Sequence, residues 1–347
     1  MTPRPVLVRV RVIPRVLPRV LSRVRPLVLS VVLVVGAFFG GRADAQSSGE
    51  SRAAILLTLP SSARALALGE AWGPVADDES ALFYNPAQLA RVRGPSAGGS
   101  LQKYVVSTTL GAFAAAIPLS RGTLAIGAQV LDYGSEPEVV LSGDDTGQGG
   151  TPTGGSVSAQ DVAITTGFGM SVGTARRLRV GGAVEFVRQH VANVSGSAVA
   201  GDLGVAYSMP GGWELAAALQ HFGSRLTLAA VAAPLPWTWR LAASSPELQS
   251  GRFTARAITE VRQPRGGLAT GVLATEATWR TPGNGTVLSG RAGYSVRGSG
   301  DDRSPLTLGG GVTLGRFAVD YAYEGFALLG GATHRVGVRF AAPQRGP

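Results

Sequence analysis

From residue 96 to residue 342 the chain alternates apolar and polar residues with a period of two, in one segment after another. The stretch 316–324 shows the pattern clearly. Its aromatic and aliphatic side chains fall on one face, and its charged side chains, with two alanines, fall on the other. Because successive side chains of a strand point to opposite faces, this region is predicted to consist of β-strands.

Fourteen such segments can be counted, an even number that is typical of bacterial outer-membrane barrels. Most are longer than the strands of soluble proteins, which are most often about 5–6 residues. Their polar face is rich in Gly, Ala, Ser and Thr mixed with Arg and Glu, which suits a barrel interior. The segments are 97–106, 107–118, 121–133, 158–173, 176–191, 195–209, 212–222, 235–245, 251–263, 266–280, 284–297, 304–314, 315–325 and 332–342.

The fold class predicted is therefore all-β: a transmembrane antiparallel β-barrel of about 14 strands, with its apolar faces turned to lipid. A soluble β-sandwich would also alternate, but it would turn the apolar faces inward. We expect the barrel to occupy residues 96–342, with a short tail at 343–347.

Residues 1–45 have the layout of a signal peptide. Arg, Val and Pro recur over 4–25, an uncharged apolar run covers 27–39, and Ala43-Asp44-Ala45 provides an A-x-A cleavage site. The apolar run is shorter than the roughly 20 residues of a spanning helix, so a cleaved leader is favoured over an anchor. Export, and location in the cell outer membrane, are expected.

The net charge of +10 does not indicate a nucleic-acid partner. The predicted leader alone holds eight arginines and one acid, and its removal leaves 24 basic and 21 acidic residues. The chain has no cysteine, which excludes disulfides, thiolate metal sites and cysteine nucleophiles. No nucleic-acid partner is therefore expected.

Between leader and barrel, residues 46–95 lack the alternation and are predicted to be irregular and partly helical. A short helix is expected to begin within 61–69. A second is expected over 77–84, with its acids at the start, where the helix dipole favours them. Asn85-Pro86 should end it, because the residue before a proline avoids the helical region.

No catalytic residue, cofactor or metal site is predicted, so an enzyme is not expected. Two G-x-S-x-G stretches, around Ser96 and Ser171, fall in predicted strands and lack the strand–turn–helix setting of a nucleophile elbow. The three histidines lack metal-ligand spacing. The long linker 134–157 is predicted as an extracellular loop, and its Asp144-Asp145 pair is more simply a solvated pair than a calcium site.

Residues 59–71 and 75–87 together resemble the opening of the PorV/PorQ family of outer-membrane proteins. They present a helix rich in small residues, an acidic Ala-Asp-Asp step and a Tyr-Asn-Pro-Ala stop. Weaker matches follow in the family's order at 117–134, 201–204, 219–223 and 333–337. The resemblance covers about residues 55–340.

This resemblance implies a barrel similar to FadL, with fourteen strands and residues 46–95 folded into the lumen as a plug. Glu70 stands where the family commonly has glycine, so the turn there should differ. The plug motif that the resemblance implies consists of Asp77, Asp78, Tyr84, Asn85, Pro86 and Ala87.

Three functions follow from the resemblance as alternatives. PorV/PorQ-type members serve type IX secretion, where the partners are the C-terminal domains of secreted proteins and components of the secretion system. FadL-like members pass hydrophobic small molecules across the outer membrane. A purely structural barrel is the third alternative. In each case outer-membrane lipid surrounds the barrel, and the first function is taken as the leading hypothesis.

Overall fold

The computed structural model describes residues 53–104, 108–141, 150–283, 285–297, 303–326 and 331–342. The predicted signal peptide, the first residues of the predicted plug and the tail 343–347 lie outside these ranges, as do Asp144 and Asp145. Among the described residues, no helix has both the length and the apolar character needed to cross a membrane.

The described chain contains seventeen β-strands. They are β1 (Ser96–Lys103), β2 (Thr109–Pro118), β3 (Thr123–Leu141), β4 (Gly150–Val172), β5 (Leu178–Val191), β6 (Val194–Ser208), β7 (Glu214–Gly223), β8 (Arg225–Leu228), β9 (Val231–Pro234), β10 (Thr238–Ser244), β11 (Leu248–Ser250), β12 (Phe253–Pro264), β13 (Thr270–Arg280), β14 (Val287–Val296), β15 (Arg303–Leu314), β16 (Phe317–Phe326) and β17 (Ala332–Ala341).

Fourteen of these strands form a closed antiparallel barrel. Each barrel strand pairs with its neighbours along the chain, β7 pairs with β10, β10 pairs with β12, and β17 closes the ring by pairing with β1. Strands β8 and β9 form a separate hairpin, and β11 is a short addition to β12. The predicted barrel is confirmed, and each of the fourteen predicted segments coincides with one barrel strand.

Most of the stretch 134–157, predicted as a loop, is strand, while its extracellular position stays a prediction. Strand β3 continues to Leu141 and β4 begins at Gly150, so the two strands form a long hairpin. The pairing shifts register after Asp132 and again after Pro137. These irregularities break the two-residue alternation, which is why the pattern of side chains did not indicate strand here.

The apolar face of the barrel points outward. In β16, Phe317 is 63% exposed and Val319 is 50% exposed, whereas Ala318, Ala322 and Glu324 on the opposite face are buried. Other strands repeat this arrangement, with Arg, Glu and Gln among their buried residues. An apolar exterior over a polar interior is the pattern of membrane-spanning barrels.

The two ends of the barrel differ in their connections. One end, the loop end, carries the connections that follow β1, β3, β5, β7, β12, β14 and β16. Among them are the long β3–β4 hairpin and the stretch 224–237, which contains β8 and β9. The opposite end, the turn end, carries mostly tight turns such as 315–316. In bacterial outer-membrane barrels the longer loops are extracellular.

Residues 53–92, here called the N-terminal segment, pack against the buried faces of the barrel strands. The segment contains one α-helix, α1 (Ala63–Ala67), and 3-10 helices at Ile55–Thr58, Glu79–Phe83 and Pro86–Arg91. The helices expected within 61–69 and 77–84 are thus present, although the second is a 3-10 helix. Asn85-Pro86 ends it and immediately begins the next.

Candidate functional site

The contact surface between the N-terminal segment and the barrel wall is the candidate functional site. Large side chains of the segment are almost completely buried there and form one apolar cluster with residues of the strands. The cluster includes Leu68, Trp72, Val75, Leu82, Tyr84, Leu89, Ile258 and Val272. Because the cluster joins segment and wall, the two form one packed interior.

Three paired glycines make room for the Asn85-Pro86-Ala87 turn. Gly169 of β4 pairs with Gly181 of β5, and Gly181 pairs with Gly204 of β6, so the three form one row across the wall. A Cβ atom at any of them would overlap the turn: the backbone of Pro86 at Gly169 and Gly181, and the side chain of Asn85 at Gly204. Glycine is required in this row because the backbones of segment and wall approach so closely.

Asn85 fastens this turn to the wall. Its Oδ1 accepts from the N–H of Ala87 at 3.0 Å, which caps the helix that begins at Pro86. Its Nδ2 donates to the carbonyls of Val205 and Ala217, both at 3.3 Å. Asn85, Pro86 and Ala87 are all buried, and the structure brings them together against strands β4 to β7.

A row of charged residues links α1 to the opposite part of the wall. Arg256, Glu276 and Arg291 are directly paired across β12, β13 and β14. The carboxylate of Glu276 accepts from Arg256 Nη2 at 2.5 Å and from Arg291 Nε at 2.8 Å. It also accepts from Arg64 Nε of the segment at 3.0 Å. One buried carboxylate therefore holds three guanidinium groups.

Asp77 and Asp78 lie on the other side of Arg64. Asp77 Oδ1 pairs with Arg64 Nη1 at 2.8 Å, and the guanidinium of Arg64 lowers the pKa of Asp77 to about 2. Asp78 accepts from Ser80 N at 3.0 Å, so it caps the 3-10 helix, and its Oδ2 lies 3.6 Å from Arg339 Nη1. The acidic pair thus binds cations of both the segment and the wall.

A second group of ions surrounds Glu70 and Tyr84. Glu70 lies 3.3 Å from Arg262 and 3.8 Å from Arg240, and these cations lower its pKa even though burial opposes the charge. The Tyr84 hydroxyl accepts from Ser61 N at 2.9 Å. Burial and the nearby Glu70 raise the pKa of Tyr84 to about 12, so the phenol stays neutral. Glu70 itself has a positive φ of 68°, a backbone conformation that glycine adopts more readily, and the altered turn expected there stays a prediction.

A small cavity of about 40 Å³ adjoins α1, with Arg64, Glu79 and Gly98 in its lining. Glu79 is buried, and burial together with Asp78 raises its pKa to about 7. A volume of about 10–15 Å³ suffices for one water molecule, so the cavity has room for water. It is too small for an organic ligand.

At the loop end, the barrel interior is filled by apolar side chains, here called the upper apolar cluster. The start of the N-terminal segment and the β8–β9 hairpin both fold into it, and Ala53 N donates to Pro234 O at 3.2 Å. Its larger members are Leu56, Leu57, Leu110, Leu131, Val187, Leu226 and Leu235. The N-terminal segment, the β8–β9 hairpin and the barrel strands thus pack together through apolar side chains near the longer loops.

The structure places the six residues of the predicted motif on this contact surface, at three positions. Asp77 and Asp78 lie in the group of ions around Arg64, while Asn85, Pro86 and Ala87 lie against the glycine row. Tyr84 lies between Ser61 and Arg240, whose guanidinium carbon is 5.4 Å from the centre of its ring. Their role as a plug stays a prediction.

Sequence reasoning missed the wall partners of the segment. The only signal for Glu276, Arg291 and Arg240 was their place on the polar face of a strand, which they share with many residues. Ser96 and Ser171, the centres of the two G-x-S-x-G stretches, both lie within strands.

No protein-family model matches the sequence. A comparison with curated proteins likewise finds no match. Solved structures of channels and transporters are similar in fold. The CymD monoaromatic hydrocarbon channel has a TM-score of 0.56 at 12% identity, over 84% of this chain and 99% of that one. A Pseudomonas aeruginosa FadL homologue has a TM-score of 0.53 at 11% identity, over 82% and 99%.

The Ralstonia pickettii toluene transporter TbuX has a TM-score of 0.50 at 14% identity, over 80% of this chain and 97% of that one. At these identities the likeness concerns the fold. The chain therefore shares its barrel fold with these channels and transporters, and the narrower PorV/PorQ resemblance has no support among these structures.

Proposed function

We propose that this protein is an integral outer-membrane barrel that conducts hydrophobic small molecules, with residues 53–92 as a plug in its lumen. The observation that carries the proposal is the upper apolar cluster. At the loop end, the start of the N-terminal segment and the β8–β9 hairpin fill an apolar region of the barrel interior. Movement of these two parts of the chain would open that region to a hydrophobic ligand. Channels of similar fold carry monoaromatic hydrocarbons and toluene.

Conduction requires this cluster to open. An engineered cavity that binds benzene has a volume of about 150 Å³, far more than the cavity of about 40 Å³ beside α1. The part of the N-terminal segment from Arg64 to Ala87 is fixed by buried ion pairs and by the glycine row. Residues 53–59 and 224–237, which pack together through apolar contacts of the upper apolar cluster, are therefore the parts expected to move.

The absence of native cysteine permits a clean test of this opening. Ala53 and Pro234 are joined by a backbone hydrogen bond of 3.2 Å. This bond brings the two backbones into direct contact, and a disulfide spans Cα atoms about 4.4–6.8 Å apart. Ala53→Cys with Pro234→Cys should therefore lock the cluster under oxidising conditions.

The assay is uptake of labelled toluene into cells that lack other hydrocarbon channels. We expect uptake with the native chain, background uptake with the oxidised double variant, and recovery on reduction. The single variant Ala53→Cys serves as the control and should conduct under both conditions. A native chain that conducts no toluene, or an oxidised variant that conducts normally, would contradict the proposal.

A second candidate is a binding or shuttle role in type IX protein secretion, as the PorV/PorQ resemblance implies. The β3–β4 hairpin favours it, because this hairpin extends past the barrel and exposes Val139 and Val140. Tagged protein should then capture the C-terminal domain of a secreted protein, and deletion of residues 136–156 should abolish capture. Recovery of neither cargo nor secretion components would exclude this role.

A further inference from the structure

Three polar side chains from three consecutive strands converge inside the barrel. Glu185 of β5, Asp202 of β6 and His221 of β7 are all buried. Each offers one oxygen or nitrogen atom, and these three atoms lie within 4.8 Å of one another. They belong neither to the upper apolar cluster nor to the contacts around Arg64 and the glycine row.

A bulge in β7 brings His221 to this position. Gln220 already points inward, so strict alternation would turn His221 outward, yet both residues are buried. The backbone of His221 has a φ of +58°, and the pairing with β6 shifts register between Gly201 and Leu203. A non-glycine residue rarely adopts this conformation, and such bulges often re-aim a side chain at a functional site.

Asp202 holds the bulge and also presents an unused ligand atom. Its Oδ1 accepts from His221 N at 2.7 Å. Its Oδ2 is buried and has no hydrogen-bond partner among the described residues. His221 Nδ1 lies 2.8 Å from Glu185 Oε2 and 3.8 Å from Asp202 Oδ1. A buried oxygen without a partner is unfavourable unless something else binds it.

The charges of the cluster also favour binding of a cation. Two carboxylates face one imidazole, which can offset at most one negative charge. The arginine that interacts electrostatically with both Asp202 and His221 is Arg240, and its Nη1 already pairs with Glu260 at 2.6 Å. With both carboxylates ionised, the three side chains carry a net negative charge that a bound cation would offset.

We propose that Glu185, Asp202 and His221 form a site for a divalent transition metal, with Zn²⁺ as the fitting ion. Imidazole nitrogen and carboxylate oxygen are zinc ligands, at about 2.0–2.2 Å. Two such ligands on a tetrahedral ion lie about 3.4 Å apart. The observed separations of 2.8 and 3.8 Å lie on either side of that value, so small side-chain movements suffice. A fourth position is left for water.

The bound ion would tie β5, β6 and β7 together at the bulge. That bulge directly precedes residues 224–237, which fold back into the upper apolar cluster. The metal is thus assigned a structural role: it fixes the point from which this stretch enters the barrel.

The test uses the full-length protein, folded in detergent and freed of metal by chelation. Equilibrium dialysis against Zn²⁺, followed by elemental analysis, gives the stoichiometry, and Co²⁺ in place of Zn²⁺ gives a visible spectrum that reports tetrahedral nitrogen and oxygen ligands. The variants are Asp202→Asn and His221→Gln. His334→Gln is the matched control, because His334 lies on β17 beside Tyr321, in a different part of the wall.

We expect one Zn²⁺ per chain in the native protein and in His334→Gln, and at least a hundredfold weaker binding in Asp202→Asn and His221→Gln. Folding of each variant is checked by its heat-dependent mobility in gel electrophoresis. If either variant fails to fold, Glu185→Gln takes its place with the same expectation. Absence of stoichiometric Zn²⁺ in the native protein, or binding that survives these substitutions, would overturn the site.

Discussion

Gly204 lies directly against Asn85, so closely that a methyl group at Gly204 would overlap the side-chain oxygen of Asn85. This oxygen is the cap of the helix that begins at Pro86. The packing of a wall strand and the start of a helix in the N-terminal segment therefore depend on the absence of one side chain.

We expect Gly204→Ala to lower the free energy of unfolding by about 1–3 kcal/mol, since overpacking a close contact has a cost of this size. The measurement is urea unfolding of the protein in lipid vesicles. Gly290→Ala is the control, because a Cβ atom at Gly290 would meet open space. An equal loss in both variants would show that the contact with Asn85 is not the cause.

The row of ions around Glu276 predicts which of two substitutions lowers the free energy of unfolding more. Arg64→Met leaves Glu276 with two arginines, and Asp77, whose side chain is 42% exposed, can be solvated. Glu276→Gln instead removes the shared anion of three buried cations. We expect losses of about 2–3 kcal/mol for Arg64→Met and about 3–5 kcal/mol for Glu276→Gln.

The same unfolding measurement checks this order. Arg121→Met, at an exposed position in the turn after β2, is the control for loss of a cation and should change stability by less than about 0.5 kcal/mol. If Arg64→Met proved the more damaging of the two, Glu276 would not be the centre of the row.

Glu79 makes stability depend on pH. Burial and Asp78 raise its pKa from 4.5 to about 7, so the folded protein holds this proton more tightly than the unfolded chain does. The stability that this proton contributes is fully present below pH 4.5 and is lost as the pH rises through 7. Glu79→Gln should remove up to about 3 kcal/mol of the difference between pH 5 and pH 8.

Thermal unfolding of both proteins at several pH values measures this effect. Only the difference between the two curves is used, because other groups titrate in both proteins alike. Curves that run parallel from pH 5 to pH 8 would mean that Glu79 is ionised in the folded state.

The outward face gives a prediction about membrane depth. Val319 lies in β16 within the apolar exterior, whereas Val140 lies on the extended β3–β4 hairpin, and both are about half exposed. Arginine on the lipid face costs about 2–4 kcal/mol near the bilayer midplane and about 0–1 kcal/mol near its surfaces. Val319→Arg should therefore destabilise the folded barrel in vesicles, and Val140→Arg should have little effect; equal effects would argue against a bilayer around β16.

The sequence allowed the barrel strands to be predicted because alternation is local: nine residues such as 316–324 suffice to show both faces. The contacts within the barrel could not be predicted in this way. The neighbour of Gly204 depends on the registers of β5 and β6 and on the path of a segment more than a hundred residues earlier. His221 illustrates a second reason, since a bulge reverses the direction that alternation gives it.

The glycine row also has a consequence for how the barrel assembles. A strand slipped by one residue turns all its side chains to the other face. A slip of β5 by two residues would bring Ala183 or Arg179 in place of Gly181, so β5 leaves room for Asn85-Pro86-Ala87 in a single alignment. Packing of the turn against the wall thereby favours the native register of β5 over its slipped alternatives.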